Sequence, residues 1–190
     1  MDRRQRIANA GIALIARGGT HRLTHRAVDT EAGLPNGSTS YYARSRRDLI
    51  RLVMEQLSAE SQADLTDIEV PGKLTVRQAT GLVGRLAERL ILNGDAQAAR
   101  FALMFEVRDD DELRRELTVD APVRRSFDEK AVELLRALGV ADPEEKAPEF
   151  VALVDAVLMY RAVDAAPIDP AGVVETYLDG LVRRKPTAAL

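Results

Sequence analysis

The stretch from Leu23 to Leu49 packs several helix starts and a helix stop into very few residues. Thr24 precedes His25, Arg26, Ala27 and Val28, so its hydroxyl can cap the free N–H groups of a short helix, and Gly33 stops that helix. Leu34 supplies a plug for the turn. Pro35 can start a second short helix, through Asn36, Gly37, Ser38, Thr39, Ser40, Tyr41 and Tyr42. Two short helices on a tight glycine turn make a helix-turn-helix, whose second helix enters the major groove of DNA. Ser45, with Asp48 three residues on, is a capping box for a longer helix.

The charge is distributed to match. The net charge of -3 hides a basic head: residues 1–51 carry ten arginines against four carboxylates, a net of +6, and the remainder carries 17 basic against 26 acidic residues, a net of -9. A basic head on an acidic body suits a protein that grips phosphate with one end. The second short helix is itself uncharged from Asn36 to Ala43, with Arg26, Arg44, Arg46 and Arg47 around it. That division suits base reading by short polar groups and phosphate gripping by the flanks. Asn36 can pair with an adenine edge, Ser38 or Thr39 can meet bases or a thymine methyl, and Gly37 allows close backbone approach. Tyr41 and Tyr42 are either DNA contacts or packing inside the head.

Helix signals recur along the chain and strand signals do not, which predicts an all-α fold of about nine helices. The first helix is expected over 2–17, the next two over 24–32 and 36–42. A long helix after Ser45 reaches toward Ile68, about 34 Å at ~1.5 Å per residue, and Pro71-Gly72 ends it. Thr75 with Gln78 starts a helix that Asn93-Gly94 closes, and Asp95 caps another carrying Phe101, Met104 and Phe105. The acidic run Asp109 to Glu112 suits a helix N-terminus; it lacks the spaced ligands and glycine of a calcium loop. Pro122 precedes a helix over 123–138, and Asp142-Pro143 and Asp169-Pro170 start the last two, over 143–164 and 170–184. The expected division is a DNA-binding head at 1–48, a body at 49–185 and a flexible tail at 186–190.

These residues, with Ile7, Ala10, Gly11, Leu14, Ile15 and Gly18 before them, resemble the TetR family of one-component transcriptional repressors over about the first 50 positions. The resemblance implies phosphate contacts at Thr24 and the N-terminus of its helix, a base within reach of Arg26, and a backbone phosphate on Arg46, with His25 beside them. It implies a C-terminal body that binds a small molecule, and a last pair of helices that joins two copies. Three positions depart from the family pattern: Ser40 where tyrosine is common, Ala43 where a bulky apolar group is common, and Asp29 where a small apolar residue is common.

For the effector, the side chains with suitable shape and chemistry are Arg89, Phe101, Met104, Phe105, Arg108, Phe127, Tyr160 and Arg161, ordinary core and solvated arginines being the competing reading. The last two helices are apolar on more than one face, which nominates Val154, Leu158, Val173, Val174, Tyr177, Leu178 and Leu181 as a dimer interface, or else as the core of one subunit. The expected function is a ligand-responsive regulator, a repressor, that holds a palindromic double-stranded DNA operator as a homodimer and is released by a small-molecule effector. A ligand-independent or partner-controlled DNA binder is the alternative.

An enzyme is a remote third reading, because the chain has no Cys, only His21 and His25, and no recognisable catalytic constellation or phosphate loop. No cofactor is expected. His21 and His25 are four apart, but His21 precedes the helix cap, so no metal site is expected either. The basic start followed by IANAGIALIA is unlike a secretory leader, since its apolar run contains Asn9 and leads into Arg17-Gly18-Gly19. Phe150–Met159 is too short to span a bilayer. No membrane segment and a cytoplasmic location are expected.

Overall fold

The computed structural model describes residues 2–183, and the expected tail at 186–190 lies outside them. Among the described residues there are ten α-helices and no strand: α1 (Arg3–Gly18), α2 (His25–Glu31), α3 (Ser38–Tyr42), α4 (Arg46–Thr66), α5 (Val76–Leu92), α6 (Gly94–Glu106), α7 (Asp111–Leu117), α8 (Pro122–Ala137), α9 (Pro143–Ala162) and α10 (Pro170–Arg183). None of them is long and apolar enough to cross a membrane. The fold is all-α as expected, with α7 formed by the acidic run.

Local chemistry accounts for most starts. Asp2 and Gln5 cap α1 reciprocally, Gln5 N–H donating to Asp2 Oδ1 at 2.7 Å and Asp2 N–H to Gln5 Oε1 at 3.1 Å. The expected boxes form at α4, where Asp48 N–H donates to Ser45 Oγ at 3.1 Å and Ser45 N–H to Asp48 Oδ2 at 3.0 Å, and at α5 between Thr75 and Gln78. Asp142 differs: it sits in left-handed backbone at φ 53 and makes no capping bond, although α9 does start at Pro143.

The chain forms two compact units. The first takes residues up to Ser61 together with Asn93–Val123; the second takes 62–92 and 124 onward. The first unit is therefore larger than the head expected at 1–48. Its core joins Ile7 and Ile15 of α1, Leu23, Val28 of α2 and Leu49 and Val53 of α4 to Leu103 of α6 and Leu113 of α7. Helices α1 and α4 meet at Gly11, where a Cβ would lie 2.6 Å from Val53 Cγ2. The second unit packs α5, α8, α9 and α10 around Ala79, Leu135, Phe150 and Leu178. There Phe150 stacks on Tyr177 at 5.9 Å between centroids.

Ion pairs reinforce the first unit along α4. Arg47 donates to both oxygens of Asp110, at 2.8 and 3.1 Å, and to Glu112 at 2.8 Å. Arg51, one turn on, donates to Glu116 at 2.8 and 3.0 Å and to Glu112 at 2.9 Å. Asp110 also caps α7, accepting from Leu113 N–H at 3.1 Å. The acidic run is thus a helix start and also the counter-charge of α4. The Arg47 guanidinium first, and the Leu113 N–H after it, push the Asp110 carboxyl down to about 2. In the unfolded chain it titrates near ~4. The pairing therefore contributes stability in full above that value and loses it as the pH falls from about 4 toward 2. The urea midpoint is expected to drop through this window, and Asp110→Asn to shrink the drop. Parallel curves for the two proteins would rule the pair out as a cause.

Candidate nucleic-acid interface

The interface is built from α2, the turn after it and α3. Thr24 caps α2 as expected, accepting from Ala27 N–H at 3.2 Å. Leu34, half-buried against the first core, closes the turn, with its N–H on Asp29 O at 2.8 Å. The second helix is shorter than expected. Pro35 and Asn36 lie in the turn, Gly37 takes φ 89, and α3 begins only at Ser38.

The physical reason is a carboxylate from α2. Asp29, 1% exposed, accepts from Gly37 N–H through Oδ2 at 2.7 Å, and from Thr39 N–H and Thr39 Oγ1 through Oδ1 at 2.7 and 2.6 Å. Burial pushes this carboxyl up, but the hydrogen bonds from the Thr39 hydroxyl, the Thr39 N–H and the Gly37 N–H outweigh it and hold the group below its ordinary value. Three donors on one buried carboxylate keep it ionised and fix where the helix starts.

Several of the expected contact residues are engaged by protein groups. Thr39 is fully buried and is no base contact. Ser38 is half-buried and donates its hydroxyl to Pro35 O at 2.6 Å. His25 is also half-buried, with Nε2 2.8 Å from Ala43 O; a carbonyl only accepts, so Nε2 carries the proton. Arg46 donates to Leu23 O at 2.6 Å, Thr20 O at 2.9 Å and Glu106 at 2.8 Å, while Thr20 Oγ1 donates to Glu106 at 2.7 Å. It clamps the turn before α2 to the end of α6. The Arg46 and Thr20 bonds hold the Glu106 carboxyl below its ordinary value.

What faces solvent is Thr24, Arg26, Pro35, Asn36, Gly37, Ser40, Tyr41, Tyr42 and Arg44. Tyr41 is 83% exposed and Tyr42 36%, their rings edge to face at 5.1 Å, so packing inside the head does not account for Tyr41. Of the ten arginines in residues 1–51, Arg4, Arg6, Arg17, Arg46, Arg47 and Arg51 bond to protein groups. Arg26 and Arg44, beside the two short helices, are exposed and have no ion pair or side-chain hydrogen bond among the described residues.

Residues 74–184 match the family model described as the tetracyclin repressor-like C-terminal domain. The chain belongs to the TetR family. Solved structures agree on the fold. A TetR-family member from Streptomyces coelicolor A3 is 24% identical with a TM-score of 0.72, 95% of this chain covering 98% of that one. A transcriptional regulator from Rhodococcus sp. Rha1 is 15% identical with a TM-score of 0.79, at 96% and 97% coverage. The multidrug binding protein EbrR complexed with proflavin is 23% identical with a TM-score of 0.62, at 95% and 99% coverage. No curated protein sequence matches.

Among TetR-family features, the departures at Asp29 and Ala43 have structural accounts. Asp29 finds its donors in Gly37 and Thr39, and Ala43, 1% exposed, is buried in the first core. The expected effector residues divide between the units. In the first, Phe101 is buried beneath the Arg100 guanidinium, 4.2 Å from its ring centroid, whereas Phe105 is 71% exposed, Met104 is partly exposed and Arg108 pairs with Asp109. In the second, Phe127 packs half-buried against the core, Arg89 bonds Asp64 O and Asp67, and Tyr160 and Arg161 are exposed.

The expected dimer residues need a larger correction. Leu158, Val174, Leu178 and Leu181 are buried within the single chain, and Val154 and Tyr177 pack against the same core. Val173 is half-buried. Helix α10 packs against α5, so Val174, Leu178 and Leu181 are interior. The exposed apolar and small residues of the last two helices are instead Ala152, Ala156, Tyr160 and the following Val163, with Ala171, Thr176, Gly180 and Val182.

Gly37 gives a local test. No atom lies within 4 Å of the Cβ it lacks, so a substitution there meets backbone strain alone. Gly37→Ala is expected to cost about 1–2 kcal/mol in urea unfolding, and Gly37→Asn less, because asparagine tolerates left-handed backbone. Equal costs would reject the backbone explanation.

Proposed function

We propose that this chain is a ligand-responsive transcriptional regulator, a repressor, that holds a palindromic DNA operator as a homodimer and leaves it when a small-molecule effector binds. The observation that carries the reading is the surface of the helix-turn-helix. Asn36, Ser40 and Tyr41 present exposed polar and aromatic groups, and Arg26 and Arg44 beside them hold cations that no carboxylate among the described residues neutralises. Short polar groups read base edges, and free guanidiniums grip phosphate and release its counterions. Residues 1–48 are the DNA-binding part in this reading, and 49–185 the ligand-binding and dimerising part. Its place is the cytoplasm, with the chromosome.

The effector is supported by family membership and by likeness to EbrR, which binds proflavin. Phe101 and Met104, both on α6, are adaptable apolar side chains suited to a flat or greasy molecule. Release is a population shift: the effector favours a conformation in which two heads no longer match major grooves about 34 Å apart. Dimerisation is supported by α9, which carries Phe150, Val151, Val157 and Leu158 on its buried side and Ala152, Ala156 and Tyr160 on its exposed side. A helix apolar on both sides has two partners, and a second copy is the second one.

Selection of bound sites from random DNA by the purified chain is expected to recover a palindrome, and a non-palindromic or random pool would sink the reading. Arg26→Ala and Arg44→Ala are expected to weaken binding about equally on all sequences and to lower the salt slope by about one each; Asn36→Ala is expected to relax preference at one position of each half-site. For the dimer, Ala156→Arg is expected to halve the mass seen in sedimentation equilibrium, while an unchanged mass moves the interface elsewhere.

A further inference from the structure

Helix α3 has five residues and follows Gly37, which has no side chain to cap it. A helix of that length does not persist on its own hydrogen bonds, because nucleation outweighs so short a run. Its order therefore comes from outside, and two residues of α2 supply it. Asp29 takes the start, accepting from Gly37 N–H, Thr39 N–H and the Thr39 hydroxyl, all within 2.7 Å. His25 takes the end, donating from Nε2 to Ala43 O at 2.8 Å. The two are four residues apart and so share one face of α2.

The Asp29 bonds are charge-assisted and out of water, where they are strongest and where an unpaired carboxylate costs most. The arrangement therefore tolerates little drift of α3: any rotation that releases one donor strands part of a buried charge. Thr39 is drawn inward with no exposure, and the residues directly after it, Ser40 and Tyr41, are turned to solvent.

We infer that Asp29, with His25, is a positioning clamp that sets the orientation of α3 and through it the operator preference of the protein, without itself touching DNA. The inference rests on the DNA-reading function proposed above. It reassigns His25 from a DNA contact to a support of the reading helix. It also gives the departure at Asp29 a purpose: the carboxylate and Thr39 form a matched polar pair where an apolar contact would leave α3 freer to turn.

Two measurements on the full chain test it. The first is amide hydrogen exchange in the absence of DNA. Asp29→Asn replaces one accepting oxygen by an NH2 that cannot accept, so exchange at whichever of Gly37 and Thr39 faces it is expected to quicken by about tenfold or more, the common consequence of losing one charge-assisted hydrogen bond, with α1 and α4 still protected. Thr39→Val, which keeps the shape and removes one bond, is expected to give a smaller change of the same kind and guards against a first variant that fails to fold. The second measurement is competition between the operator selected by the wild-type chain and random DNA. Both variants are expected to lose discrimination while keeping their affinity for random DNA. The paired variant Asp29→Ala with Thr39→Leu removes the charge and the hydroxyl but leaves Gly37 N–H and Thr39 N–H without their acceptor, so neither thermal stability nor discrimination is expected to return.

Unchanged exchange at both Gly37 and Thr39 in Asp29→Asn would overturn the clamp. Discrimination that survives faster exchange, or that the apolar pair restores, would overturn its role in reading. A wild-type chain that selects no site would defeat the DNA-reading function and the specificity claim with it, while the exchange measurement still decides whether Asp29 orders α3.

Discussion

Short helices do not hold themselves together, and three of the first unit's helices are short. Helices α2 and α7 have seven residues each and α3 has five. Nucleation makes each of these unfavourable alone, so each depends on a side chain that answers its free N–H groups. For α2 it is Thr24, immediately before it; for α7 it is Asp110, which also receives Arg47 from α4. For α3 it is Asp29, ten residues before Thr39 in sequence and on a different helix. The candidate reading surface exists because that distant acceptor replaces a local cap.

The same economy governs charge. A net of +6 in residues 1–51 reads as a phosphate-gripping head, yet most of its arginines bond to protein groups. Arg47 and Arg51 neutralise the acidic start of α7, and Arg46 ties backbone carbonyls and Glu106 together. These pairs are part-exposed, and surface ion pairs stabilise only modestly; their effect is to fix the first turns of α4. Arg26 and Arg44 remain beside the reading helix. An arginine held by two or three acceptors has to break those bonds before it can meet phosphate, and a free one does not.

Much of this was legible from residue order. The all-α class follows from repeated caps and breakers, and the caps at Thr24, Ser45 and Thr75 formed where the spacing placed them, because a cap is decided by residues within one turn of each other. The helix-turn-helix was legible for the same reason. The start of α3 was not, since Pro35 is a good local start and nothing in its neighbourhood points to Asp29. Thr39 looked like a reading residue because its hydroxyl suits a base edge as well as a carboxylate. The last helices misled in a different way: an apolar stripe has the same appearance whether α5 or a second copy covers it.

The sequence by itself determined what is local: the helix class, most helix starts, the glycine turn, the basic head and the family's DNA-reading motif. Tertiary structure alone decided which side chains each local feature is spent on. It turned Thr39 inward, engaged Arg46 and Arg47 with protein groups, left Arg26 and Arg44 without an ion pair among the described residues, and buried Val174, Leu178 and Leu181 in the chain's own core. The reason is that burial and pairing are settled between segments far apart in the chain, and identical residues in identical local settings serve different ends according to what the fold brings against them.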